Sequence, residues 1–382
     1  MPGYRSYGSV VLAAVACILL SAAIREPGRR GPTPPGQGGP TPYALSYPAY
    51  FGYRINVPQD NPLTVEGVEL GRRLFYDKRL SAGNTISCGS CHQQAHGFAD
   101  VRTHSLGYDG TPTKRNAMSL TNLLWVRRLF WDGRASSLEE QAVTPMTDPH
   151  EMGQPLDSTV KKLRDARLNS ASPAYGALFA AAFGSDSITG ERIVKAIAQF
   201  ERILISDRSR FDRYLRGAYR LTAAEQRGLT LFYTNNDPVR GVRGTGCGNC
   251  HSGPKVFNET YHNNGLDSVP VDPGRSGVTG LDYDRGRFRV VTLRNIALTA
   301  PYMHDGRFRT LSEVLDHYSG HILPSSTLSP SLRDTLNRPV NLRLTTEEKS
   351  DLLAFLQLLT DSAFITDPRY ADPFVVHTKI KE

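Results

Sequence analysis

The sequence predicts an all-α fold of two domains, and three observations support this. Apolar side chains recur at helical spacing, for example at Ile193, Ile197 and Leu204. Thr222 and Thr345 each stand three residues before a glutamate, which is the capping-box pattern of a helix start. No stretch of the chain is rich in strand patterns. Short helices joined by loops are therefore expected throughout.

The chain also predicts two halves of similar design. The pattern Cys-x-x-Cys-His occurs at Cys88–His92 and again at Cys247–His251, and each copy follows a segment that ends in Leu-Phe-Tyr. A polar link at residues 206–210 lies between the two copies. We therefore expect an N-terminal domain over residues 45–210 and a C-terminal domain over residues 211–382.

The first 23 residues have the pattern of a signal peptide or an N-terminal anchor. Arg5 precedes an apolar run over residues 10–23, which ends in the small residues Ser-Ala-Ala. The run is short for a membrane span, which needs about 20 apolar residues, so a cleaved leader is favoured over a membrane tether. Residues 24–44 are rich in proline and glycine and predict a flexible tether. This pattern predicts export to the periplasm.

The charge of the chain is modestly positive, at +8. Its basic residues stand singly or in pairs. They form no dense stripe with interleaved aromatic residues, which is the usual sign of a nucleic-acid-binding face. The sequence therefore predicts no nucleic-acid partner.

The cysteines divide into one in the leader and four in the repeated motifs. Cys17 lies in the predicted leader, and the others are Cys88, Cys91, Cys247 and Cys250. Because all four belong to Cys-x-x-Cys pairs, none is left over for a disulfide framework.

A Cys-x-x-Cys pair followed directly by histidine is the attachment pattern of c-type haem. The two thiols bond to the haem vinyl groups, and the adjoining imidazole becomes the proximal iron ligand. A zinc site made of the four thiolates would have to leave out both histidines, and a thioredoxin-like pair would follow a strand. The sequence therefore predicts two cytochrome c-like domains, each with one covalently bound c-type haem, and with His92 and His251 as iron ligands.

Beyond these motifs, the chain resembles the bacterial di-haem cytochrome c peroxidases, a superfamily that also contains MauG. The resemblance runs from about Asn61 to about Thr360. It is carried by these segments: Arg115–Ala117, Phe130–Ala135, Gln141–Met152, Thr292–Asn295 and Ala300–Gly306.

The resemblance implies that the first haem reacts with hydrogen peroxide and that its iron has an open position. Glu151 matches the family's distal acid/base glutamate, and Gln141 matches its distal glutamine. A carboxylate can move a proton between the two peroxide oxygens while an amide orients them. Trp131 matches a tryptophan placed between the haems, where it would relay electrons.

Many relatives place a histidine in the loop before Arg-Asn, where it caps the iron until the enzyme is reduced. Tyr108 stands at the matching position here. The resemblance therefore implies that this loop does not close the first iron with a histidine, although His96 and His104 lie nearby as substitutes.

The second haem would pass electrons to the first. Tyr318 stands where the peroxidases have an axial methionine and where MauG has tyrosine. A phenolate favours ferric iron, whereas a thioether favours ferrous iron. The rival axial ligands are Met303, His304, His317 and His321. The resemblance also implies a calcium ion between the domains, held by oxygens of Asn116, Thr299 and Pro301.

Three functions follow from these expectations. In the first, the chain reduces hydrogen peroxide with electrons from a small donor protein such as a cytochrome c or a cupredoxin. In the second, a MauG-like enzyme stores oxidising equivalents on both haems and oxidises a protein or another reductant. In the third, the chain is a di-haem electron carrier without catalysis. Relatives often dimerise, so a homodimer is also expected.

Overall fold

Two pairs of packed helices form the framework of the computed structural model, which describes residues 39–165 and 175–375. Helix α1 (Val65–Tyr76) packs against α6 (Gly190–Arg202), and α8 (Ala223–Tyr233) packs against α11 (Thr346–Leu358). These two pairs are counterparts, because α1 and α8 each end in the Leu-Phe-Tyr segment that precedes a Cys-x-x-Cys-His motif.

In each of these helix pairs a glycine allows the two helices to pack closely. A Cβ atom on Gly71 would lie 1.9 Å from the carbonyl oxygen of Ala196, and a Cβ on Gly228 would lie 1.9 Å from that of Asp351. Any larger residue at either position would push the two backbones apart. The same contact in both halves supports the sequence prediction of a repeated design.

The remaining elements are short. The other helices among the described residues are α2 (Cys88–Cys91), α3 (Leu138–Thr147), α4 (Leu156–Arg164), α5 (Tyr175–Phe183), α7 (Arg210–Leu215), α9 (Ser276–Thr279), α10 (Leu311–Gly320) and α12 (Ser362–Ile365). Strands β1 (Tyr261–His262) and β2 (Phe288–Arg289) form one antiparallel pair. The chain is therefore mainly helices and loops, as expected, but this strand pair means that it is not strictly all-α.

The predicted helix starts at Thr222 and Thr345 are confirmed. The backbone N–H of Glu225 donates to the hydroxyl oxygen of Thr222 at 3.3 Å, and the Glu225 carboxylate accepts from the Thr222 backbone at 2.8 Å. Thr345 and Glu348 make the same reciprocal pair at the start of α11. Each box satisfies backbone donors that the first turn leaves without a partner.

Two clusters of buried apolar side chains fill the interior. The first includes Phe75 and Phe200, and the second includes Phe232 and Phe355. Consecutive core residues change from the first cluster to the second between residues 205 and 211, close to the expected join. After this change the chain returns to the first cluster at Phe257, Val290, Phe364 and Tyr370. The carbonyl oxygen of Tyr370 accepts a hydrogen bond from the Tyr76 hydroxyl at 2.7 Å.

The described residues belong to one compact unit, so the division at residue 210 stays a prediction. The predicted leader and most of the predicted tether lie outside the described residues. Within residues 39–165 and 175–375, no helix is both long and apolar enough to cross a bilayer.

Candidate functional site

Both Cys-x-x-Cys-His motifs are held in place by a tyrosine from the preceding helix. A Cβ on Gly89 would lie 2.4 Å from the ring of Tyr76, and a Cβ on Gly248 would lie 2.5 Å from the ring of Tyr233. The glycine inside each motif therefore lets the motif settle directly on the tyrosine that ends α1 or α8. This contact explains why Leu-Phe-Tyr precedes both motifs.

The two motif histidines are oriented alike. His92 Nδ1 lies 3.0 Å from the carbonyl oxygen of Phe98, and His251 Nδ1 lies 3.1 Å from that of Val291. A hydrogen bond from Nδ1 leaves Nε2 available for a metal and fixes the ring plane. Burial lowers the pKa of His92, and it lowers that of His251 to about 4. Both imidazoles are therefore neutral at pH 7, which is the form that binds iron.

The four thiols of the motifs are free and do not come together in one site among the described residues. None of them is in a disulfide, and burial raises the pKa of each, in the case of Cys91 to about 11. Among the described residues, no group of three or more His, Cys, Asp or Glu side chains is placed to hold a metal ion. The two motifs thus meet the requirements of two separate haems, each with a thiol pair and an oriented, neutral imidazole.

A cavity of about 290 Å³ opens over the second motif. Cys247, Cys250 and His251 line it, together with mainly apolar side chains, and no carboxylate of the described chain is among the lining residues. A planar, largely apolar macrocycle attached at the two cysteines fits such a site.

Two of the rival axial ligands lie side by side in this cavity. The side-chain amide of Asn264 donates to the Tyr318 hydroxyl at 3.2 Å and approaches the Met303 sulfur at 3.5 Å. Burial raises the pKa of Tyr318 to about 12, so the unligated side chain is a neutral phenol. The geometry therefore brings Tyr318 and Met303 together with His251 and leaves the choice between them a prediction.

Each of the three rival histidines makes a contact of its own. His317 Nε2 lies 3.0 Å from the carbonyl oxygen of Asn264, and His321 Nδ1 lies 2.8 Å from that of Asp316. The His304 ring lines the cavity but stacks on Phe288 with its centroid 3.7 Å away. Each hydrogen bond uses one ring nitrogen of His317 or His321, and stacking uses none of His304, so the three histidines stay rival ligands.

In the first half, Glu151 lies close enough to the cysteines to influence them. Burial is the largest cause that raises the pKa of Cys88 and Cys91, and the negative charge of Glu151 is a smaller cause for both. Burial, with Asp148 as a second cause, raises the pKa of the Glu151 carboxyl itself. This carboxyl therefore holds a proton at higher pH than an exposed glutamate would, as acid/base chemistry requires.

The Glu151 loop is tied to the loop that carries Tyr108. The backbone N–H of Tyr108 donates to the carbonyl oxygen of Glu151 at 2.8 Å. A Cβ on Gly153, which has a φ of +63°, would lie 2.2 Å from the Tyr108 ring. Tyr108 thus packs on the segment that follows Glu151. His104 is one of the two histidines expected to substitute for the loop histidine. Its buried Nδ1 has no hydrogen-bond partner among the described residues.

An internal repeat, missed in the sequence analysis, relates this region to its counterpart in the second half. Residues 120–147 match residues 293–320 without a gap, at an offset of 173 positions. Asn122 and Asn295 both adopt left-handed conformations, with φ of 62° and 63°. Each precedes a short 3₁₀ turn, and each segment ends in a helix, α3 or α10. The signal was present in the repeated Asp-Gly-Arg at 132–134 and 305–307.

This repeat assigns a counterpart to Tyr318. At the same register, Pro145 occupies the equivalent turn of α3. A proline side chain has no atom that can bind iron, whereas a tyrosine has a phenol. The two halves are therefore unequal at the position of Tyr318, which is one of the axial ligand candidates of the second half.

Trp131 and Asn116 lie where the two halves meet. The indole N–H of Trp131 donates to the carbonyl oxygen of Asn116 at 2.9 Å, and the Asn116 backbone N–H donates to that of His304 at 2.8 Å. Trp131 also lines the cavity of the second motif. The predicted relay therefore contacts the second site directly.

The three predicted calcium ligands also line this cavity. They are Asn116, Thr299 and Pro301. The Asn116 side-chain NH₂ donates to the carbonyls of Arg102 and Thr103, which leaves its oxygen for another partner. Amide and carbonyl oxygens suit calcium, and water would have to complete the shell.

Similarity to known proteins extends over most of the chain. A family model described as "Di-haem cytochrome c peroxidase" matches residues 65–220. The methylamine utilization protein MauG of Methylophilus methylotrophus is 34% identical, over 81% of this chain and 87% of its own length. The cytochrome c551 peroxidase of Nitrosomonas europaea is 36% identical, over 78% of this chain and 81% of its own length.

Among solved structures, a MauG-like protein associated with microbial copper homeostasis is 38% identical. Its TM-score is 0.77, over 87% of this chain and all of that one. Relatives named as peroxidases and as MauG proteins thus match the same chain to a similar degree. Together with the paired motifs, these similarities show that the chain is a cytochrome-c-peroxidase-like oxidoreductase that belongs to the di-haem cytochrome c peroxidase and MauG family.

Proposed function

We propose that this chain reduces hydrogen peroxide at a haem held by Cys88, Cys91 and His92. Electrons reach it through a second covalent c-type haem held by Cys247, Cys250 and His251. The observation that carries the proposal is the inequality between Pro145 and Tyr318. Pro145 offers no ligand atom and would leave a haem iron at the first motif open to peroxide, whereas an iron at the second motif would have a phenol or a thioether available in its cavity.

A bound haem would supply an iron that accepts peroxide, and it would deliver the two electrons that reduce the peroxide. The reaction consumes hydrogen peroxide, two electrons and two protons and releases two water molecules. Glu151 takes a proton from one peroxide oxygen and returns it to the other, and its raised pKa suits both transfers. The amide of Gln141 orients the peroxide, and Trp131 passes electrons from the second site to the first.

Several finer features belong to the same proposal. A small exported protein such as a cytochrome c or a cupredoxin donates the electrons. A calcium ion bound by Asn116, Thr299 and Pro301 keeps the two halves in register. The predicted leader directs the chain to the periplasm, as its composition suggests. A homodimer is expected from the resemblance alone.

A MauG-like activity is the second candidate, and two tyrosines favour it. Tyr318 as an axial ligand would stabilise oxidised iron in the second haem. Tyr108 replaces the loop histidine that caps the first iron in many relatives. With both features, the fully oxidised protein would react with peroxide and keep the oxidising equivalents on both haems for a protein or another reductant.

One experiment separates these functions from simple electron transfer. Purified holoprotein is mixed with peroxide in its fully oxidised form and, separately, after reduction of one haem, with a ferrous cytochrome c as donor. Steady turnover of the donor supports peroxidase activity. A long-lived two-electron-oxidised state of the fully oxidised protein supports the MauG-like activity. A protein inert to peroxide in both forms would be an electron carrier and would refute the proposal.

A further inference from the structure

Arg289 lines the cavity of the second motif and carries a buried charge that the described protein does not neutralise. Arg289 lies on β2, and only 6% of it is exposed. Its Nε donates to the carbonyl oxygen of Phe130 at 3.3 Å, and its Nη2 lies 4.0 Å from the sulfur of Met118. Both partners are neutral, and a thioether is a weak acceptor.

Arg294, the other arginine that lines this cavity, has a carboxylate partner, whereas Arg289 has none among the described residues. Arg294 makes two hydrogen bonds to Asp212, at 2.7 and 2.8 Å, and both side chains are fully buried. No described carboxylate lies within ion-pair distance of Arg289. Glu259 is close enough to influence its pKa, but pairs instead with Arg127.

A buried arginine without an anion is costly, because a guanidinium cannot lower this cost by losing its proton at neutral pH. Burying a single charge without a partner costs several kcal/mol in general. An anion is therefore expected at this position in the complete protein. Because the described lining of the cavity contains no carboxylate, the molecule that fills the cavity is the expected source of this anion.

We propose that Arg289 binds the propionate edge of the second haem and raises the reduction potential of that haem. A haem carries its carboxylates on the edge opposite the vinyl groups, and the vinyl groups are the ones that Cys247 and Cys250 would hold. Planar guanidinium groups bind carboxylates through two parallel hydrogen bonds. A positive charge beside the macrocycle disfavours the ferric state relative to the ferrous state.

This assignment also orients the haem relative to Trp131. The backbone N–H of Arg289 donates to the carbonyl oxygen of Trp131 at 2.7 Å. The propionate edge would therefore face the predicted relay between the two halves. The inference depends on the proposed function only in requiring a haem at the second motif.

The test compares the reduction potentials of both haems in the wild-type holoprotein and three variants. Arg289→Gln removes the charge, Arg289→Lys keeps it, and Arg285→Gln removes an exposed charge from the same segment. Haem content is counted first, and the potentials are then measured by spectroelectrochemical titration with EPR of poised samples. We expect Arg289→Gln alone to lower the potential of the second haem and to leave the first unchanged.

Two results would overturn the inference. One is an Arg289→Gln protein with both haems attached and an unchanged second potential. The other applies if Arg289→Gln fails to attach its second haem. In that case Arg289→Lys should attach it, and failure of the lysine variant as well would show that charge is not what the site needs. A wild-type protein lacking the second haem would contradict the proposed function instead.

Discussion

Replacing Glu151 by glutamine is the most informative single change at the first site. The substitution keeps the size and polarity of the side chain but removes its ability to accept a proton. General acid–base catalysis contributes about 10²- to 10⁴-fold, so the turnover number for peroxide should fall by that factor, equivalent to about 3–5 kcal/mol of transition-state stabilisation. Steady-state oxidation of a ferrous cytochrome c by peroxide measures the loss.

The pH profile provides the control for this prediction. Because burial raises the pKa of Glu151, its basic form is available only above a pH higher than for an ordinary glutamate. The wild-type rate should therefore increase with pH through that raised pKa, and the Glu151→Gln rate should not. Glu191→Gln changes an exposed carboxylate on α6 and should leave the profile intact. An unchanged rate and an unchanged acid limb in Glu151→Gln would remove this residue from the mechanism.

Two further predictions concern stability and can be checked by thermal unfolding of holoprotein. Asp212→Asn leaves the buried guanidinium of Arg294 without its charge partner and should cost about 3–5 kcal/mol at neutral pH. Burial alone would raise the pKa of Asp212, but hydrogen bonds and charge from Arg294 lower it overall. This stabilisation should therefore disappear as pH falls through the lowered pKa, and a constant difference between wild type and variant down to pH 2 would contradict it. Gly228→Ala should destabilise the protein by about 1–3 kcal/mol, because its Cβ would meet the neighbouring backbone. Gly176→Ala is the control and should not destabilise it, because the nearest atom to its Cβ would be 3.7 Å away. Equal melting temperatures for the two variants would refute the packing argument.

Features set by local sequence could be predicted well. The helix starts at Thr222 and Thr345 depend on residues three positions apart, and both were confirmed. The repeated Cys-x-x-Cys-His motif and its Leu-Phe-Tyr prefix likewise predicted a duplicated design. The structure adds the reason, which is the contact between each tyrosine and the glycine of its motif.

Features set by distant contacts could not be predicted in this way. Asn264 lies 39 and 54 residues from the two ligand candidates that it contacts, and no periodicity of the sequence indicates either contact. The return of Tyr370 to the first core and the two-residue strands also depend on tertiary packing. Pro145 was detectable, but only by aligning the two halves of the chain with each other.

The inequality of the two iron sites is tested most directly by EPR of the fully ferric holoprotein, recorded beside Tyr318→Phe. The wild type should show one high-spin and one low-spin haem, because Pro145 offers no ligand atom whereas the second cavity contains the candidates Tyr318 and Met303. If Tyr318 is that ligand, Tyr318→Phe should change the low-spin signal and leave the high-spin signal intact. Two low-spin haems in the wild type would contradict the open first site, and an unchanged low-spin signal in the variant would assign the second ligand to Met303 or a histidine.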